Sequence, residues 1–173
     1  MLDVFQTMKE IIGHGDIACM LENADKDVLF FASGVSNSGE TRESEYDREK
    51  ALLLGQDRSK RLVYFGSLSI FYQDSRYSRH KREMEEIVRE NFPEYCIVRI
   101  GNITFGSNPN TLINAMRNKV LRGEPLEIQD ATRYIVDRDE FLHWVELIPN
   151  FNCEINIPGR RMTVREVVKE YVL

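Results

Sequence analysis

Hydrophobic residues follow two rhythms that alternate along the chain, and each rhythm predicts a different element. Unbroken or alternating apolar runs at residues 28–32, 61–65 and 95–101 predict strands, the first and third of the kind buried on both faces of a parallel sheet. Spacings of three and four predict helices over residues 43–54 (Tyr46, Lys50, Leu53, Leu54), from Tyr77 to Phe92 (Met84, Ile87, Val88), 111–121 (Leu112, Ala115, Met116, Lys119, Val120) and 139–148 (Phe141, Leu142, Val145, Ile148). Gly55 and Gly123 stop two of these helices, and Pro93 marks a break before the strand at 95–101. Shorter signals predict a strand at 9–13 leading to a helix that ends near Asn23, and strands at 126–128, 133–136 and 154–157. A last helix spans 163–171, with Thr163 and Glu166 forming a capping box. Leu2, Phe5 and Met8 have helix-like spacing in a segment too short to define an element. Strands alternating with helices predict an α/β architecture with a parallel sheet.

Composition narrows the setting. A chain of 173 residues, 42% hydrophobic and 29% charged, is expected to form one soluble domain with a single core. The net charge of -5 argues against nucleic acid as the main partner. The basic cluster Arg76, Arg79, His80, Lys81, Arg82 is read mainly as a solvated helix start. Cys19, Cys96 and Cys153 are odd in number and far apart in sequence, the usage of a reducing compartment, and their apolar neighbours suggest buried packing. No apolar run approaches the roughly 20 residues that cross a bilayer. The amino terminus does not resemble a signal peptide. A cytoplasmic protein without membrane contact is expected.

Candidate chemistry concentrates in residues 61–81. Gly66 and Ser67 close the strand at 61–65, so Ser67 is expected at its carboxyl end, where open α/β sheets place ligands. Tyr77 and Lys81 fall one helical turn apart on the same face. An ammonium ion beside a phenol favours the phenolate and makes an acid–base pair, while a nearby serine can hydrogen-bond a carbonyl or alcohol. A tyrosine and lysine at this spacing also occur on many helices without chemistry. Earlier in the chain, Gly13-His14-Gly15-Asp16-Ile17-Ala18 matches a G-x-G-x-x-A turn between strand and helix, where glycines let a pyrophosphate approach the backbone. Asp16 is expected as the helix N-cap, with a charge that would repel a diphosphate.

Taken in order, these pieces resemble the extended short-chain dehydrogenase/reductase superfamily, in particular its NAD-dependent epimerases and dehydratases of nucleotide sugars. The resemblance runs from about Ile11 to the carboxyl terminus. It rests on the Gly13–Ala18 turn, Val28-Leu29-Phe30-Phe31-Ala32-Ser33-Gly34, Val63-Tyr64-Phe65-Gly66-Ser67, Tyr77-Ser78-Arg79-His80-Lys81 as Y-x-x-x-K, and Val98-Arg99-Ile100-Gly101-Asn102-Ile103-Thr104-Phe105-Gly106. It implies a truncated, three-layer Rossmann-like fold with a mostly parallel sheet, and a much reduced substrate lobe over about residues 125–173. It assigns acid–base work to Tyr77, support of the phenolate and grip on the nicotinamide ribose to Lys81, and substrate orientation to Ser67. Gly13, Gly15, Ala18, Ala32, Ser33, Gly34 and Asn102 would bind NAD or NADP, and Ser69 and Arg133 the substrate, a sugar or nucleotide sugar. The helices at 43–54 and 77–90 would pair two copies into a homodimer.

The chain departs from the family in one large respect. About ten residues separate the Gly13 turn from the strand at Val28, where the family has about 40, so the strands that hold adenosine are missing. Arg133 also stands one position away from the register of the family's diphosphate-binding arginine. Two functions follow: an NAD(P)-dependent oxidoreductase or epimerase acting through Ser67, Tyr77 and Lys81, the reading preferred on sequence, or a non-catalytic relative that binds or assembles after losing full dinucleotide binding.

Overall fold

The computed structural model describes residues 9–173; the helix-like spacing of Leu2, Phe5 and Met8 lies outside the described residues. Five parallel strands form the main sheet in the order β1-β2-β3-β4-β7: β1 (Glu10–Ile12), β2 (Leu29–Phe31), β3 (Leu62–Ser67), β4 (Tyr95–Ile100) and β7 (Cys153–Ile157). Its inner strands alternate between two buried faces. Phe30, Val63, Phe65, Cys96 and Val98 point to one layer with Leu21 of α1 (Asp16–Leu21) and Phe141 and Val145 of α5 (Arg138–Glu146). Leu29, Phe31, Leu62, Tyr64 and Ile97 point to the other, against Leu53 of α2 (Glu43–Leu54) and Met84 and Val88 of α3 (Arg76–Asn91). Burial on both faces explains the unbroken apolar runs, and the three layers match the expected architecture.

A second, smaller sheet orders β5 (Asn102–Ile103), β6 (Thr132–Val136) and β8 (Arg160–Thr163). Ile135 and Met162 pack there with Ile113 of α4 (Leu112–Leu121) and Val167 of α6 (Val164–Val167). The capping box of Thr163 and Glu166 is present, although the expected single helix is the short α6 followed by a wider turn at Val168–Val172. The expected strand at 126–128 is irregular backbone. Pro125 supplies no N–H just before it, and Ile128 is 40% exposed, so neither pairing nor burial supports a strand.

Other expectations change as well. Cys19 is exposed, while Cys96 and Cys153 lie opposite one another on β4 and β7 with their sulfurs 3.2 Å apart. Distance in sequence hid a pairing that the parallel register creates. Trp144 packs against the core, whereas its neighbour His143 is exposed.

Candidate functional site

The carboxyl ends of the strands open onto a cleft of about 890 Å³. Ser67, Tyr77 and Lys81 all line it, as do Gly15, Ala32, Ser33, Gly34, Ser69, Asn102 and Arg133. Of the residues expected at a site, Gly13 and Ala18 do not line it. Gly13 has φ +126°, and a Cβ there would stand 2.5 Å from the Ala32 carbonyl oxygen. The position therefore demands glycine for the close approach of the β1 and β2 ends, whether or not a phosphate binds. Ala18 lies on the buried face of α1.

Two local devices place the hydroxyls. Ser67 ends β3 and caps the single 3-10 turn Leu68–Phe71: its Oγ accepts from the Ser69 N–H at 3.2 Å and donates to the Ser69 Oγ at 3.0 Å. Ser75 and Ser78 form a reciprocal capping box at the start of α3, which fixes the first turn and with it Tyr77. Arg82, further along α3, donates to the Gln73 carbonyl at 3.0 Å and holds the intervening loop.

Lys81 is not free in this arrangement. Its ammonium is 3% exposed and donates to both oxygens of Glu49, at 2.9 and 3.2 Å. Glu49 is fully buried and accepts four partners in all, the others being the Tyr64 hydroxyl at 3.0 Å, the Val35 N–H at 2.8 Å and His80 Nε2 at 2.8 Å. Burial alone would push the Glu49 carboxyl up, but Lys81, the His80 hydrogen bond and the Val35 N–H overcome it and hold it well below the ordinary carboxylate range. Burial likewise works against the Lys81 charge, and Glu49 outweighs it, so the ammonium is held above its ordinary range. The Tyr64 phenol is pushed up by burial and then by the neighbouring carboxylate, so it remains a neutral donor. Lys81 Nζ sits 5.6 Å from the centre of the Tyr77 ring, and Glu49 largely offsets its charge there.

Sequence reasoning missed Glu49. The signal was present, since Tyr46, Glu49 and Leu53 share the buried stripe of α2, and a carboxylate on such a stripe requires buried donors.

Asp16 also differs from expectation. Gly15 is the N-cap, and Asp16 turns its carboxylate onto the N–H groups of Ser107 and Asn108, at 2.9 and 3.0 Å, where it packs on Gly106. The start of α1 is thus tied to the loop after β5 and carries a negative charge. At the far end of the cleft, Lys119 and Arg133 form no ion pair with a carboxylate among the described residues; Arg133 donates to the Gln129 side chain at 2.8 Å and the Thr132 carbonyl at 2.9 Å. The rest of the lining is rich in hydroxyl and amide groups, including Ser36, Ser38, Tyr72, Gln73, Asn108 and Thr111.

The residues fit one half of a dinucleotide. Ala32, Ser33, Gly34, Ser67, Tyr77 and Asn102 line one cleft, as a nicotinamide half would require, but β1 pairs only with β2, and no strand lies beyond it among the described residues. The adenosine half lacks a floor, and Asp16 disfavours a pyrophosphate at α1. A complete NAD or NADP does not fit these residues. No group of metal-ligating side chains occurs among the described residues, and no helix there is long and apolar enough to cross a membrane.

No family model matches the sequence, and no curated protein sequence matches it. Solved structures do. The Bordetella bronchiseptica enzyme WbmG in complex with NAD is similar at 13% identity and TM-score 0.63, over 82% of this chain and 55% of that one. A UDP-N-acetylglucosamine 4-epimerase from Methanobrevibacter ruminantium, in complex with UDP-N-acetylmuramic acid, gives 15% identity and TM-score 0.63, over 86% and 63%. The dTDP-glucose 4,6-dehydratase of Bacillus anthracis, with NAD, gives 15% and 0.62, over 88% and 59%. The chain therefore has the Rossmann-like fold of these enzymes, and it spans little more than half the length of each.

Proposed function

We propose that the cleft binds a sugar or nucleotide sugar without a complete dinucleotide, as a reduced relative of the epimerases. The observation that carries this reading is β1 standing at the sheet edge, beside a cleft that still has hydroxyl and amide walls and two cations at its far end. Ser67 and Tyr77 would hydrogen-bond sugar hydroxyls, and Lys119 and Arg133 would meet phosphate oxygens. Isothermal titration of UDP and UDP-sugars tests it: binding in the micromolar to millimolar range is expected, and no heat at millimolar ligand overturns it.

A second reading, an NAD(P)-dependent oxidoreductase or epimerase, is favoured by Ser67, Tyr77 and Lys81 lining one cleft. It requires the adenosine half to be held by groups other than these. Turnover of a nucleotide sugar that Tyr77→Phe abolishes would establish it in place of the first. Assembly of two copies through α2 and α3 is a further proposal. The outer surfaces of these helices carry the ion pairs Arg76–Glu43 and Lys50–Glu83, so such an interface would be polar. Light scattering at micromolar concentration decides between dimer and monomer.

A further inference from the structure

The geometry points to Glu49 as the positioning residue that withholds Lys81 from ligands, so that the cleft selects against a nicotinamide dinucleotide and in favour of a sugar ligand. This rests on the binding reading above and adds to it the group that sets the selectivity.

Three observations carry it. First, Glu49 binds the ammonium from behind: both partners are buried, and the carboxylate's remaining capacity is filled by Tyr64, His80 and the Val35 N–H. Second, backbone lies directly against the ion pair. A Cβ on Gly34 would stand 2.6 Å from Lys81 Nζ and 3.0 Å from Glu49 Oε1, so Gly34 is what lets the pair sit directly beneath the cleft wall. Third, the Val35 N–H joins that wall to the same carboxylate, so displacing Lys81 also disturbs the loop that forms the cleft. A ribose diol that drew Lys81 away would leave Glu49 buried with its main charge partner gone, and the diol's neutral hydrogen bonds return less than that loss. Tyr77 and Ser67 keep their place on the cleft and need no help from Lys81 to hydrogen-bond a sugar.

The test compares wild type, Glu49→Gln and the doubly neutral Glu49→Gln/Lys81→Met by titration with NADH and, separately, with UDP. Glu49→Gln is expected to bind NADH at least ten-fold more tightly than wild type, because Lys81 is released. The double variant, lacking the cation, is expected to keep the wild-type ratio of NADH to UDP affinity within about two-fold. Glu49→Gln that folds cooperatively yet gains no NADH affinity overturns the proposal. So does a double variant that loses ten-fold or more against wild type, since Lys81 would then already serve the ligand. Should Glu49→Gln fail to fold, reductive methylation of the wild type with peptide mass mapping decides. Lys81 is expected to react at least ten-fold more slowly than the exposed Lys169, and equal rates overturn the proposal. Absence of UDP binding in every variant would defeat the binding reading while leaving the NADH and methylation results to judge Glu49.

Discussion

The two sides of the cleft are built to different standards. On the side of β2, β3 and α3, Lys81 is ion-paired, Ser67 caps a turn and Tyr77 is fixed by a capping box. On the side of β1 no further strand follows among the described residues. The lesson is that a parallel sheet places the residues at its strand ends independently of the strands further out. The β3–α3 side can therefore keep its geometry whatever lies beyond β1.

The strongest way to break this contrast is to remove one charge from the built side. Lys81→Met leaves Glu49 buried without its cation and is expected to cost about 3–5 kcal/mol, read by urea denaturation. The double variant Glu49→Gln/Lys81→Met should recover most of that loss. A double variant as unstable as the single one would mean that packing, and not charge, holds the site.

Acidification probes the same pair without mutation. The Glu49 carboxyl is depressed from 4.5 to about 2 in the folded protein. Its contribution is thus fully present above about 4.5 and is lost as pH falls toward about 2. At 1.36 kcal/mol per pH unit this is worth about 3 kcal/mol. Lys81, held above its ordinary range, has the opposite sign: its contribution is present below its unfolded value of 10.5 and is lost as pH rises beyond it. Stability measured between pH 5 and 2 should fall less steeply in Glu49→Gln/Lys81→Met than in wild type.

On the β1 side the expected effects are smaller and concern backbone. Gly13→Ala forces an L residue to φ +126° against the Ala32 carbonyl and should cost about 1–3 kcal/mol in thermal unfolding. Gly15→Ala, at φ -81° with open space around its Cβ, should cost under about 1 kcal/mol. Equal losses would mean that the turn is not shaped by the β1–β2 contact. At the far end of the cleft the effect falls on binding and not on folding: Arg133→Ala should weaken UDP binding roughly ten-fold, about 1.4 kcal/mol by calorimetry, with little change in stability.

Much of this was legible in the sequence because strong periodicity and end signals coincided. The α2 boundaries match the spacing of Tyr46, Leu53 and Leu54 stopped by Gly55, and Ser67 stands at the end of β3 where Gly66 suggested. The elements that escaped are short: β5 is only Asn102–Ile103, and β8 pairs with β6 alone, so neither carries enough alternation to stand out. Residues 126–128 gave a false strand because three alternating positions say nothing about a pairing partner. At the site, the strand-end address of Ser67 and the one-turn spacing of Tyr77 and Lys81 could be read locally. The place of Glu49 on the buried stripe of α2 could also be read, but not its partners, which come from α3, β3 and the loop after β2 and meet one carboxylate only in the assembled layers.

The most direct test is a paired calorimetric titration of the wild-type protein with UDP and with NADH under identical conditions at millimolar ligand. Binding of UDP with NADH at least ten-fold weaker is the expected result. NADH bound as tightly as UDP or more so would contradict it and return the protein to hydride chemistry.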